Sequence, residues 1–180
     1  MKIRRVVTGH DAQGKSVFVS DGETPRAHSF EHFPGHAAAQ VWSLDGAPVV
    51  PHRGGDPTGT PCSVMPPPGG NSLLLVDFPP DAVMAGAADP AAAFASLAAA
   101  LPGLMETFEP ASPGMHTTDT VDYAIVLSGE MWLELDDGAV TLVKAGDVVV
   151  QNGTRHAWRN RSGQVARVAF MMTGASRKAG

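Results

Sequence analysis

Gly114-Met-His116-Thr-Thr118-Asp-Thr120-Val-Asp122-Tyr-Ala-Ile-Val-Leu-Ser-Gly129 is the stretch on which the fold turns, together with Gly146-Asp-Val-Val-Val-Gln151-Asn-Gly153-Thr-Arg-His156-Ala-Trp158-Arg-Asn160. On an extended chain, side chains two residues apart share a face. His116, Thr118, Thr120 and Asp122 therefore look the same way, and the small Ala124 and Val126 continue that face. Small residues beside polar ones suit a pocket lining. The opposite parity, Val121, Tyr123, Ile125 and Leu127, is apolar and reads as packed against a second layer, with Tyr123 in the core. His156 opens a later strand, and Trp158 and Asn160 share its parity. If that strand runs beside the first, His156 comes within reach of His116 and Asp122.

Strands are expected at short intervals around this stretch: 106–108, 122–127, 131–136, 139–142, 147–150, 156–159 and 166–172, with a tight turn at Asp137-Gly138. Upstream, residues 3–8 and 16–20 read as a hairpin. Residues 39–43 and 48–50 read as a second one around Asp45-Gly46, and 71–78 as a strand stopped by Pro79-Pro80. Residues 51–70, rich in Pro, Gly and Thr, read as a long surface loop. One helix is expected near 89–101, with Asp89 as N-cap, Pro90 in the first turn and Phe94, Leu97 and Leu101 as its apolar stripe. Antiparallel strands on tight turns with a single inserted helix make an all-β sandwich or barrel.

The bulk properties narrow the class of function. A chain of 180 residues suits one domain, here 1–175, with 176–180 as a loose tail. A formal charge of −5 argues against nucleic acid and against an anionic membrane surface. No run of apolar residues is long enough to span a bilayer. Cys62 is the single cysteine, so no internal disulfide forms. No apolar segment follows the N-terminal charges, so no signal peptide is expected and a cytoplasmic protein is.

Two imidazoles and one carboxylate on one face form the arrangement that holds Fe(II) with open positions, and zinc, manganese or nickel can use the same groups. The plainer reading makes His116 and His156 hydrogen-bonded core residues. His28, His32 and His36 read as surface-loop histidines, and His10 as the one nearest a barrel mouth. Glu130 and Glu134 could serve as general bases and Arg155 and Arg159 could meet a substrate carboxylate, with solvation the plainer role for each. Trp42, Trp132 and Trp158 could stack on a substrate ring, with barrel packing the plainer role.

The two quoted segments resemble the paired motifs of the cupin superfamily, most closely the small single-domain cupins of the conserved-barrel type. His116 matches the first His of the first motif, Asp122 its Glu and Gly129 its closing Gly. Gly146, Gly153, His156 and Asn160 match the second motif. Thr118 stands where the family has a second His, and Gln151 stands at the family's Pro. The resemblance covers residues 114–172 and implies an antiparallel double-stranded β-helix, or jelly-roll, barrel. It further implies one divalent metal ion (Fe, Zn, Mn or Ni) on His116, Asp122 and His156, with Thr118, Thr120 and Trp158 around it. A small-molecule substrate and a homodimer paired through N-terminal strands are also implied. The expected function is a metal-dependent enzyme of dioxygenase, isomerase or decarboxylase type. The alternatives are a non-catalytic binding or sensor barrel and a metal-free enzyme using a His as general base.

Overall fold

The computed structural model describes residues 1–178. Strands β1 (Arg4–His10) and β2 (Ser16–Glu23) form a separate hairpin. Six strands make the larger sheet: β3 (Arg26–Ser29), β4 (Ala37–Leu44), β5 (Asn71–Phe78), β6 (Thr120–Ser128), β9 (Val148–Asn152) and β11 (Ala166–Gly174). Their order across it is β3-β4-β5-β11-β6-β9. A smaller sheet runs β10-β7-β8, from β7 (Glu130–Glu134), β8 (Val140–Lys144) and β10 (Ala157–Arg159). Every pairing is antiparallel. This is the expected jelly-roll. Among the described residues no helix is long and apolar enough to cross a membrane.

The inner face of the six-stranded sheet is covered in two halves. Under β6 and one end of β11, Ala124, Val126, Ala166 and Val168 pack on Met131 and Val143 of the smaller sheet. Under β5 and the other end of β11, Leu74, Val76 and Met172 pack on Leu97 and Leu101 instead. The helical segment thus does for one half of the sheet what the three-stranded sheet does for the other. It comprises α1 (Asp81–Ala85), α2 (Pro90–Ala100) and a 3₁₀ turn over Met105–Thr107.

Glycine is required where elements touch. At Gly129, with φ +74°, an added Cβ would lie 2.9 Å from both the Cα and the Cβ of Ala166. At Gly174 it would lie 1.9 Å from the Pro67 carbonyl oxygen, where Gly69 N–H donates to Gly174 O and Gly174 N–H to Gly70 O, both at 3.0 Å.

Several expectations change. No strand forms over 48–50: Val49 and Val50 are 77% and 89% exposed, and β4 pairs instead with β3, across residues 30–36, and with β5, across residues 45–70. The 51–70 segment has no strand or helix, as expected, yet it is packed down. Val64 and Thr58 are buried, Arg5 pairs with Asp56, and Arg26 donates to the Cys62 carbonyl at 2.7 Å. In α2 the buried positions are Ala93, Leu97 and Ala100, followed by Leu101, a spacing of four, three and one. Phe94, one step around the helix, is 53% exposed. Of the residues expected as a strand at 106–108, Glu106 and Thr107 end the 3₁₀ turn, while Phe108 is extended and bridges to His116. His36 is buried, not on the surface, with Nδ1 at 2.7 Å from Asp77 O and its ring stacked on Phe30. The expected loose tail is tied down at Arg177, which reaches Asp119 and the carbonyls of Thr118 and Gly153. Residues 179–180 of that tail lie outside the described residues.

Candidate functional site

His116 and His156 face each other across a reciprocal backbone bridge. His116 N–H donates to His156 O at 2.9 Å and His156 N–H to His116 O at 3.0 Å. In such a directly opposed antiparallel pair both side chains leave on one side, and the ring centroids are 4.2 Å apart. Positive-φ glycines set up each approach, Gly114 (φ +81°) before one and Gly153 (φ +62°) before the other.

Both rings are held the same way. Nδ1 of His116 lies 3.1 Å from Gly114 O, and Nδ1 of His156 lies 2.9 Å from Thr154 O. An Nδ1–H donating to each carbonyl leaves Nε2 as a free lone pair, the form in which imidazole binds a metal or accepts a proton. Phe108 stacks on His116 with centroids 4.5 Å apart and planes at 19°, and Trp158 meets His156 edge-on. Burial, aided by the neighbouring His156 and opposed by the Gly114 carbonyl and Glu109, lowers the His116 pKa to about 4. Burial also lowers His156, against its bond to Thr154. Both imidazoles are neutral at pH 7.

Asp122 points inward from β6, as its parity with Ala124 and Val126 predicts. Its Oδ1 is buried and has no hydrogen-bond partner among the described residues. Burial raises its pKa, weakly opposed by the Thr120 hydroxyl, which itself donates to Thr118 at 2.8 Å. His116, His156, Thr118, Asp122 and Trp158 all line one cavity of about 650 Å³, and Thr120 is buried behind its wall. Opposite the histidines the wall is apolar and comes from the helical segment and β5.

The donor types fit a divalent ion: two neutral imidazoles with free Nε2 and a carboxylate oxygen that is otherwise unsatisfied. The geometry brings together only part of the set. Among the described residues, no three His, Cys, Asp or Glu side chains are gathered closely enough to hold a metal. His116 and His156 make a pair, and Asp122 shares their cavity without joining them.

The other candidates are placed elsewhere. His10 ends β1, exposed and outside the cavity wall. Arg155 pairs with Glu109 at 2.6 Å and Asp136 at 2.8 Å, and Arg159 with Glu134 at 2.6 Å. That occupies Glu134 as well, while Glu130 lies 4.0 Å from Lys144. Trp42 sits under Arg5 (5.5 Å to the ring centroid) and against His52, away from the site. Trp132 alternates outward from the buried Met131 and Leu133. Phe108 and the helical wall were missed. Phe108 had a usable signal, a lone aromatic between Pro102-Gly103 and Pro110 at the end of the strand expected over 106–108.

Residues 104–172 match the family model for the Cupin domain. Phomopsin biosynthesis cluster protein C' of Diaporthe leptostromiformis is 56% identical over 48 residues, 27% of this chain and 25% of that protein. The chain thus matches only a quarter of that relative's length. The cupin-domain-containing oxidoreductase virC of Hypocrea virens is 28% identical over 165 residues, 88% of this chain and 68% of that protein. Among solved structures, the Cnp3 cupin domain of Schizosaccharomyces pombe has a TM-score of 0.47 at 9% identity, covering 97% of this chain and 89% of that one.

Proposed function

We propose that this protein is an oxidoreductase acting on a small organic molecule, with one divalent metal ion held by the His116–His156 pair and Asp122 beside it in the same cavity. The observation that carries the reading is the histidine pair: two neutral rings, each tied at Nδ1 to a main-chain carbonyl, with both Nε2 lone pairs available in one cavity. The unpartnered Asp122 oxygen supports it, as does the naming of virC as an oxidoreductase. A bound ion would supply Lewis-acid or redox chemistry at the polar end of the cavity.

The chain's own residues do the rest. Phe108 and Trp158 hold the imidazole planes, and the apolar wall excludes water and strengthens every polar contact at the site. Thr118 presents a hydroxyl for a substrate oxygen. Where no ion is bound, Asp122, its pKa raised by burial, can hold a proton and return it.

The second reading is a metal-free binding barrel, favoured by the grouping of two ligands rather than three. Elemental analysis of tag-free protein separates the two. The first requires near-stoichiometric metal that falls sharply in both His116→Ala and His156→Ala. No metal after reconstitution with each ion leaves the second.

A homodimer belongs to this proposal too, through the outer face of the large sheet in place of the N-terminal strands that the resemblance implied. Tyr123, Ile125, Val148, Val150 and Met171 are exposed on the outer face of the large sheet. They lie abreast in two rows, Met171–Tyr123–Val150 and Ala169–Ile125–Val148. Apolar patches of this kind mark interfaces, and a second copy applied here covers them. Sedimentation of a Tyr123→Lys, Ile125→Lys double variant tests it: the dimer is expected to become monomer.

A further inference from the structure

We propose that the ligand is an uncharged, predominantly apolar molecule with one oxygen function, and that the helical segment selects it. This rests on the reading that the cavity is the working site and concerns the metal-free protein, in which both Nε2 atoms are open to the ligand. The oxygen lies against His116 and His156, and the apolar body lies under α1, α2 and the 3₁₀ turn. The cavity, at about 650 Å³, is of the size that takes a drug-sized molecule.

Its walls leave no free cationic side chain inside for an anionic ligand. Arg159 is spent on Glu134 and the Pro113 carbonyl, and Arg161 lies exposed at the rim. His36, which also lines the wall, is bonded at Nδ1 to the Asp77 carbonyl and stacked on Phe30. An ionised group carried into this space would lose its hydration with nothing to replace it.

The apolar body has a specific host. Met84, Leu97, Leu101, Leu104 and Met105 line the cavity from the helical segment, facing Leu74 and Phe170 of the sheet. Two of these are methionines, whose unbranched side chains adapt to irregular ligands. Ala85 lines the cavity yet is exposed, so it stands at the entrance. The length and side chains of the segment therefore set which molecules enter.

The test uses metal-stripped full-length protein, a neutral phenylnaphthylamine fluorophore as probe, and displacement by the straight-chain alcohols from hexanol to dodecanol. Each added methylene is expected to tighten binding about fourfold, the equivalent of ~0.8 kcal/mol per buried CH₂. The matching alkanoates are expected to bind at least about tenfold more weakly. Ala85→Trp, a change at an exposed position, is expected to weaken the alcohols at least about tenfold with the circular dichroism spectrum unchanged. A response flat in chain length, alkanoates binding as tightly as alcohols, or an Ala85→Trp variant like the parent would each overturn the proposal. A flat series in protein that carries its metal overturns this proposal alone. A normal series in protein that takes up no metal overturns the metal reading alone.

Discussion

Asn160 should be the most sensitive polar side chain near the site. It is 1% exposed and makes four hydrogen bonds. Nδ2 donates to Phe78 O at 2.8 Å and to Gln164 O at 2.7 Å, while Oδ1 accepts from Ser162 N at 3.0 Å and Ser162 Oγ at 2.7 Å. It thereby ties the end of β10 to the end of β5 and to the turn leading into β11. Its backbone takes part as well: Asn160 N–H donates to Asp81 Oδ1, and Asp81 N–H to Asn160 O, both at 2.8 Å. Asn160→Ala removes all four side-chain bonds. At about 1 kcal/mol each the total is about 4 kcal/mol. Ser162 and Gln164 can turn to water, which brings the expected loss to about 3 kcal/mol. For a chain of this length that lowers Tm by about 6–12 °C. Urea unfolding followed by Trp fluorescence measures the free energy. Asn160→Asp keeps the shape and both accepting bonds, but it aims an oxygen at two carbonyls and adds a charge beside Asp81. It should lose more than Ala at pH 7 and recover partly in acid, as protonation restores a donor. A loss below about 1 kcal/mol for Asn160→Ala would refute the reasoning.

Further predictions concern pH, packing and the metal. The apo protein should lose stability as pH falls from about 6.5 toward 4, because buried His36, His116 and His156 bind protons more weakly folded than unfolded. For His116 alone, a fall from 6.5 to about 4 corresponds to about 3 kcal/mol; urea midpoints that stay level from pH 7.5 to 5 would contradict this. The Arg5 ion pair holds Asp56 at about 2, so its contribution is present above about pH 4 and lost as pH falls toward 2. Since Asp56 is 32% exposed, Asp56→Asn should cost only about 1 kcal/mol at pH 7, read from the same denaturation curves. Gly174→Ala should destabilise by about 3 kcal/mol or more, because its Cβ would collide with the Pro67 carbonyl; a Tm within a degree of the parent would be contrary to the observed approach. Thr118→His should raise metal affinity by adding a third imidazole to the cavity wall, and competition with a chromophoric chelator measures the change.

The motif strands were legible because their alternation is strict. Asp122, Ala124 and Val126 point inward as parity requires, and His116 and His156 meet because their strands are joined by a backbone bridge. The outer face of β6 misled because Tyr123, Ile125 and Leu127 are as apolar as core residues, and a single chain's pattern cannot tell a packed face from an open one. The partner of β4 was hidden by distance: the pairing closes across residues 45–70, while the Asp45-Gly46 turn signal pointed to the neighbouring residues. The helix was legible from its cap and first-turn proline, with Asp89 accepting from Ala92 N–H at 3.0 Å. Its role was not, because the cavity it roofs exists only once β5 and β11 are side by side. His36 followed the same rule. Its loop-like neighbours suggested solvent, and only the fold brings Phe30 and the Asp77 carbonyl to it.

The most direct test of the central claim is the ¹⁵N spectrum of the histidine side chains of metal-stripped protein at pH 7, repeated after one equivalent of Zn²⁺. The account predicts that His116 and His156 are both neutral with the proton on Nδ1, and that both Nε2 resonances move together when zinc is added. A proton on Nε2 of either ring, or zinc leaving both unmoved, would contradict it.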